Sequence, residues 1–351
     1  MLKRDEILSW LKETDAARLR ELWKTADEVR RKHVGDDVHL RGLVEISNHC
    51  VRQCHYCGIR AGNRELQRYR MTRDEILECA RQAVMFGYGT VVLQAGEDPV
   101  LDAGWMEGVV KAIKSETGLA VTLSLGERTL NELEIWKRAG ADRYLMRFET
   151  SNRALFDSIH PPAGKRKSDR IKLLREIRKI GYEVGSGVMV GIPGQTWDDM
   201  ANDILMFREL DLDMIGIGPF IAHPGTPLGG FKADELDDRQ TPNSELVTYK
   251  VLALARLVCP HSNIPSTTAL ATLNLSKGRE LGLQRGANIV MPNLTPAIYR
   301  RHYEIYPAKA CIQETADRCH TCIKGRIKAI RRQVGTGPGN SPNLVMKDRI
   351  F

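Results

Sequence analysis

Apolar runs recur along the chain at residues 40–46, 90–95, 120–125, 144–148, 184–190, 214–217, 264–269 and 288–291, each of a length that suits a buried strand. The stretches between them carry helical spacing. Ile76, Cys79, Ala80, Ala83 and Val84 fall on one helix face behind Thr72-Arg73-Asp74-Glu75. That tetrad is a capping box, in which the hydroxyl accepts the third backbone amide and the glutamate returns to the cap. Thr129-Leu130-Asn131-Glu132 repeats it, and Thr196-Trp197-Asp198-Asp199 is a close variant. Strands alternating with helices predict a parallel sheet, and eight such units predict an α/β fold of the complete (β/α)8 TIM-barrel type. Residues 1–33 read as an N-terminal helical extension, 34–302 as the barrel, and 303–351 as a C-terminal segment whose stretch 335–342 has the composition of a flexible tail.

A barrel places its chemistry at the C-terminal ends of its strands. Alternation along 143–149 turns Tyr144, Met146 and Phe148 toward the helices and Arg143, Leu145, Arg147 and Glu149 inward. Buried charges cost several kcal/mol each unless paired. An Arg147–Glu149 pair would satisfy itself and leave Arg143 unmatched, so a zwitterionic amino acid and a ribose are ligands this set would suit. The fifth run places Gly185 and Gly187 inward with Met189, which predicts a cavity rather than a filled layer. After the second run, Gln94-Ala95-Gly96-Glu97-Asp98-Pro99 lets backbone approach a ligand closely and offers carbonyls to an ammonium group. The same residues are also ordinary turn chemistry.

Composition narrows the class. With 42% hydrophobic and 27% charged residues over 351, the chain has the make-up of a globular enzyme with a core that needs no disulfides. Six of its eight cysteines fall in two compact groups, which favours metal ligation in a reducing, cytoplasmic compartment. The N-terminus turns acidic at once, and the most apolar stretch, 251–259, is short and interrupted by Arg256, so neither a signal peptide nor a membrane span is expected. Net charge is +8, collected at 60–73, 165–179 and 324–332. Lys172, Arg175 and Lys179 alternate with Ile171, Leu174 and Ile177 as on a solvated helix face, so nucleic acid is not expected; an acidic partner or an anionic substrate fits. His223 and His302 read as surface residues, Cys79 and Cys259 as packed thiols.

The first cysteine group, Cys50-Val51-Arg52-Gln53-Cys54-His55-Tyr56-Cys57, follows the first strand directly. Three thiolates on a 4Fe–4S cube leave one iron free for a small molecule, whereas zinc would need His49 or His55 as a fourth ligand. The second group, Cys311, Cys319 and Cys322, again offers three ligands: an accessory iron–sulfur cluster, or zinc completed by His320.

These motifs resemble the biotin synthase-like branch of the radical S-adenosylmethionine (SAM) superfamily, most closely its HydE family of [FeFe]-hydrogenase maturases. The resemblance spans about residues 25–325. It rests on the first cysteine loop, 93–99, 121–127, 140–150, 189–196, 217–224, 264–269 and 289–293, with the second cysteine group behind them. It implies that Cys50, Cys54 and Cys57 hold the SAM-cleaving 4Fe–4S cluster with Tyr56 against it. It further implies that Arg147, Glu149 and Arg170 contact SAM, that Met189 and Met291 pack on its adenosyl portion, and that Gly96 and Glu97 lie near its amino group. Arg143, Thr267 and Thr268 would form an anion-binding floor, and Cys311, Cys319 and Cys322 an accessory cluster. The implied task is processing of an organometallic substrate, an iron–carbonyl–cyanide–cysteine synthon, by a 5′-deoxyadenosyl radical, alongside partner maturases and an electron donor such as ferredoxin or flavodoxin. A methylornithine synthase-type mutase shares the machinery but not the second cysteine group. Biotin synthase would need further cysteines on interior strands. A non-catalytic iron–sulfur scaffold or electron carrier would need no cavity, and a tRNA-modifying enzyme would need an RNA-binding module that the chain lacks.

Overall fold

The computed structural model describes residues 2–164, 167–232 and 237–347; Lys165 and Arg166 of the second basic stretch lie outside them. Its strands are β1 (Asp37–Ser47), β2 (Thr90–Ala95), β3 (Ala120–Ser124), β4 (Arg143–Leu145), β5 (Glu183–Val190), β6 (Met214–Pro219), β7 (Ile289–Val290) and β8 (Gln333–Val334). Helices α1 (Arg4–Lys12) and α2 (Ala16–Val34) precede β1. Then α3 (Arg73–Met85), α4 (Ala103–Thr117) and α5 (Leu130–Arg138) follow β1, β2 and β3 in turn. After β4 come α6 (Arg153–Ile159) and α7 (Arg170–Lys179), and after β5 comes α8 (Trp197–Glu209). Between β6 and β7 lie α9 (Glu245–Val258), α10 (Thr268–Leu273) and α11 (Gly278–Leu283). Two more, α12 (Ala297–Arg300) and α13 (Ala316–Ala329), separate β7 from β8, and α14 (Pro342–Lys347) ends the described chain.

All paired strands are parallel, in the order β6-β5-β4-β3-β2-β1-β7, so the sheet is a curved wall with helices outside. Local chemistry starts the helices as the sequence predicts. Thr72 and Thr129 close capping boxes with Glu75 and Glu132, and Thr196 closes one with Asp199. Val91, Leu93, Val121 and Leu123 of the strands bury themselves against Ile76, Ala80, Val109 and Ile113 of α3 and α4. The N-terminal helices pack on α8 and α9, and Lys250 of α9 donates to the carbonyls of Leu11 and Glu13 where α1 ends.

The expected seventh strand, 264–269, is not one. Segment 263–265 makes single bridges, Asn263 to Met214 of β6 and Pro265 to Ile289 of β7, and the chain then turns into α10. Pro265 has no N–H to extend a ladder, and Thr267 caps the helix by accepting from Leu270 N–H.

The expectation of a flexible tail at 335–342 is also corrected. β8 pairs with the start of β1, and the chain beyond it crosses the N-terminal ends of the strands like a strap. Arg41 and Asn263 both donate to the Gly339 carbonyl, Thr90 donates to the Pro338 carbonyl, and Ser341 N–H donates to Glu183. Glycine is required here by close approach: a Cβ at Gly89 would collide with the Gly337 carbonyl.

Candidate active site

At the opposite end, a cavity of about 320 Å³ opens among the C-terminal ends of the strands. Its volume is typical of small-molecule sites. The loop after β1 brings Cys50, Cys54 and Cys57 to its wall, with Tyr56 beside them. Arg68 ties this loop together by donating to the carbonyls of Asn48, Ile59, Arg60 and Asn63. Asn48 adds bonds to the Gln67 and His302 carbonyls. The neighbouring turn is joined to it by Val51 N–H to Glu97 O at 3.0 Å and Gly96 N–H to Ser47 O at 3.2 Å. A side chain at Gly96 would strike the His49 carbonyl, so glycine is what lets the two loops touch. Burial pushes the Cys50 and Cys54 thiols above their ordinary range and Cys57 up to about 12. A metal bound there would displace those protons.

Facing the cysteines is a ring of four charges. Arg52 bridges Glu97 at 2.5 Å and Glu127 at 3.0 Å, and Arg170 lies 3.2 Å from Glu127 and 3.8 Å from Glu97. Arg170 also donates to the Arg147 carbonyl at 2.8 Å. It contacts His160 at 2.5 Å, a ring that burial and the two arginines keep neutral by lowering its pKa to about 2. Gly126, at φ +75°, leaves the space that the Glu97 side chain fills. Beyond β4, Arg147 and Glu149 pair at 3.2 Å, and Glu149 sits at φ 66°, a conformation non-glycine residues adopt only where surroundings impose it. On the charged side chains that line the cavity, Arg52 Nη1, Glu97 Oε1 and Glu149 Oε2 are buried without a hydrogen-bond partner. Buried polar atoms are normally satisfied, so an acceptor pair and a donor left open beside a cavity mark a place for a polar ligand. SAM fits that demand with an ammonium, a carboxylate and ribose hydroxyls. The three thiols fit a 4Fe–4S cluster with one iron open.

Of the residues expected here, Tyr56, Gly96, Glu97, Arg147, Glu149, Arg170, Met189, Met291, Thr267 and Thr268 all border the cavity with the first three cysteines. Arg143 does not. It lies under the barrel, bound to Glu183 at 2.8 Å, to Thr90 at 3.0 Å and to the Pro338 carbonyl and Asn340 of the strap. Its place in the anion floor, and its supposed lack of a partner, are corrected: alternation gives the face of a strand but not the height along the barrel. The open space also borders Gly216 and Gly218 of β6, whereas the Gly185 position is crowded by Leu145 and Met214.

The second cysteine group is brought together only in part. Ligand atoms of Cys311, Glu314 and Cys319 lie within 4.8 Å of one another, while Cys322, one turn further along α13, is exposed and beside Arg326. His320 is directed elsewhere, stacked on Phe86 and bonded to the Tyr88 hydroxyl.

Sequence reasoning missed Arg52, Glu127, Glu45 and Lys309. Arg52 lay inside the cysteine motif, and Glu45 was a charge within an apolar strand, so both left a signal. Lys309, which pairs with Glu45 in the cavity wall, left none, because the segment 303–309 has no periodicity. Tyr303 and Tyr306 enter the cavity from that same segment.

The model for the Radical SAM superfamily matches residues 44–207. The [FeFe] hydrogenase maturase subunit HydE of Thermotoga maritima is 48% identical over 90% of this chain and 86% of its own. A 3-methylornithine synthase of Methanosarcina barkeri is 30% identical over 79% and 75%. Among solved structures, a methylornithine synthase superposes with a TM-score of 0.81 over 100% of this chain and 97% of its own, at 24% identity, and so shares the fold. No helix among the described residues is long and apolar enough to cross a membrane.

Proposed function

The chain belongs to the radical SAM superfamily as a HydE-like maturase, and on that premise we propose that it processes an iron–carbonyl–cyanide–cysteine synthon in assembly of the [FeFe]-hydrogenase active site. The observation that carries this reading is 48% identity to HydE over 90% of the chain, together with a cavity whose open polar atoms face three free thiols. Cys50, Cys54 and Cys57 would hold a 4Fe–4S cluster, with Tyr56 on the same stretch of cavity wall. When bound, cluster and SAM together supply a 5′-deoxyadenosyl radical by one-electron cleavage.

The residues of the chain bind and orient. Gly96 lets the turn approach the SAM ammonium closely, and Glu97 Oε1 and Glu149 Oε2, without hydrogen-bond partners of their own, are acceptors for it. Arg52 keeps one donor open, while Glu127 and neutral His160 fix the Arg170 guanidinium. Met189 and Met291 give apolar contact to the adenosyl group. Thr267 and Thr268 face the substrate from the N-terminus of α10, with Lys309 and Glu45 across the wall. Tyr303, Tyr306 and the segment around them exclude water.

The barrel is complete in this reading, with segment 263–266 standing as a stave between β6 and β7 through its single bridges. Residues 1–33 form an outer extension, 34–302 the catalytic barrel, and 303–351 a segment that closes both ends and carries an accessory metal centre. Partner maturases supply and receive the substrate, a ferredoxin or flavodoxin supplies the electron, and the site of action is the cytoplasm.

The test is SAM consumption by the anaerobically reconstituted, reduced protein with and without the synthon. Synthon-dependent turnover with loss of the starting infrared carbonyl and cyanide bands supports the proposal; slow cleavage indifferent to the synthon contradicts it. The 30% identity to 3-methylornithine synthase favours lysine as the next substrate in that event.

A further inference from the structure

Glu149 borders the cavity from a strained turn. It sits at φ 66°, bracketed by a bond from Thr150 N–H to the Phe148 carbonyl at 2.9 Å. A three-residue turn with positive φ at its centre is the rare, strained form of the γ-turn. Such strain persists only where the surroundings over-determine it. β5 restrains one side: the Gly187 carbonyl accepts from Glu149 N–H at 3.1 Å, and Met189 N–H donates to the Glu149 carbonyl at 3.2 Å. The other restraint is Asp203 of α8, which is wholly buried. Its Oδ1 accepts from Ser151 N–H and the Ser151 hydroxyl, both at 2.5 Å, and from the Thr150 hydroxyl at 3.3 Å. Its Oδ2 accepts from Gln195 Nε2 at 3.0 Å. Gln195 in turn donates to the Met189 carbonyl and accepts from the N–H groups of Gly191 and Ile192. One carboxyl group therefore ties the turn after β4 to the turn after β5.

We propose that Asp203 is a positioning residue for SAM, an inference that rests on the SAM site proposed above but not on the identity of the substrate. By anchoring Ser151 and Thr150, it holds Glu149 in the strained turn and so presents the Glu149 carboxylate to the ligand. Asp203 does not itself border the cavity, so it acts only through residues that do. Glu149 is the nearest of these along the chain, and Met189 is reached through Gln195. Without Asp203 the turn relaxes, and SAM has to restore it on binding. That conformational cost appears as lost affinity, in proportion to the fraction of chains left competent.

The experiment is a SAM titration of the full-length chain, reconstituted with its cluster and reduced, in D203A, E149Q and D203A/E149Q. Binding is followed by the change that SAM makes in the EPR signal of the cluster, with no synthon present. D203A should leave the SAM-free signal unaltered and raise the titration midpoint about 5–100-fold, the shift that release of one residue strained in this way permits. In the E149Q background the same substitution should move the midpoint by no more than about twofold, because the charge it positions is already gone. An unchanged midpoint in D203A overturns the proposal. So does an equal loss in both backgrounds, the additivity expected of residues that do not act on one another. Where D203A fails to fold, T150V/S151A removes both hydroxyl donors without touching α8. A raised midpoint that vanishes in the E149Q background then supports the proposal, and an unaltered midpoint overturns it.

Discussion

The two ends of the barrel bury the same kinds of charge and treat them oppositely. At the N-terminal end, Arg143 and Glu183 pair at 2.8 Å, and the chain's own strap supplies further partners through Pro338, Asn340 and Ser341. The C-terminal end holds Arg52, Glu97, Glu127, Arg147, Glu149 and Arg170 around a cavity, with a donor and two acceptors left open. The sealed end is not perfectly satisfied, since Arg41 Nε lacks a partner and burial lowers the Arg41 pKa to about 9. What differs is access. The strap covers Arg143 and bonds it directly, whereas the upper atoms line an opening. A buried charge thus says little about function until its partners have been found.

The largest effect expected from breaking this contrast is at the cysteines. C54S should prevent the cluster from assembling and reduce 5′-deoxyadenosine formation to the level of a protein-free control, as read by chromatography of reduced, SAM-supplied samples.

Next comes the sealed end. R143M strands Glu183 in the interior, and removing one partner of a buried pair costs about 3–5 kcal/mol. Anaerobic urea titration should show that loss, and R143M/E183M should recover most of it. Unchanged stability in R143M would mean that the strap and the ion pair contribute nothing.

A smaller effect, confined to the ligand, is expected at the open end. E149Q removes a carboxylate whose Oε2 has no partner, so SAM affinity should fall by about 10–100-fold, the range of about 1.5–3 kcal/mol for hydrogen bonds to charged groups. Stability should change little.

A further effect, read only through pH, concerns Asp203 of α8, buried beneath the turn at Thr150 and Ser151 that follows Glu149. Burial raises its carboxyl to about 7, against the opposing pull of hydrogen bonds from Ser151, Thr150 and Gln195. The folded state therefore holds a proton that the unfolded chain releases near its ordinary value of about 3.9. Its contribution to stability is fully present below that value and is lost as pH rises toward 7. D203N should flatten stability across that window, and an unaltered pH profile would show that Asp203 is ionised throughout.

Much of this was legible in the chain. The spacing of Cys50, Cys54 and Cys57 fixes a chemistry, and the capping boxes at Thr72, Thr129 and Thr196 fix where helices begin, because both depend on local geometry. Arg143 was misread because its partners, Asn340 and Pro338, lie almost two hundred residues away and nothing local announces them. The strap was misread for a related reason: glycine and proline signal irregular backbone, but only tertiary packing decides whether irregular backbone is loose or held. Glu314 went unnoticed beside three cysteines because only the folded loop, whose carbonyls Arg300 binds, brings it near Cys311 and Cys319.

The most direct test of the account compares SAM binding in E149Q and R143M, both reconstituted with cluster and verified as folded. The account predicts that E149Q loses affinity about 10–100-fold while R143M binds as the wild type does. Equal losses, or a loss in R143M alone, would contradict the assignment of one end to ligand and the other to structure.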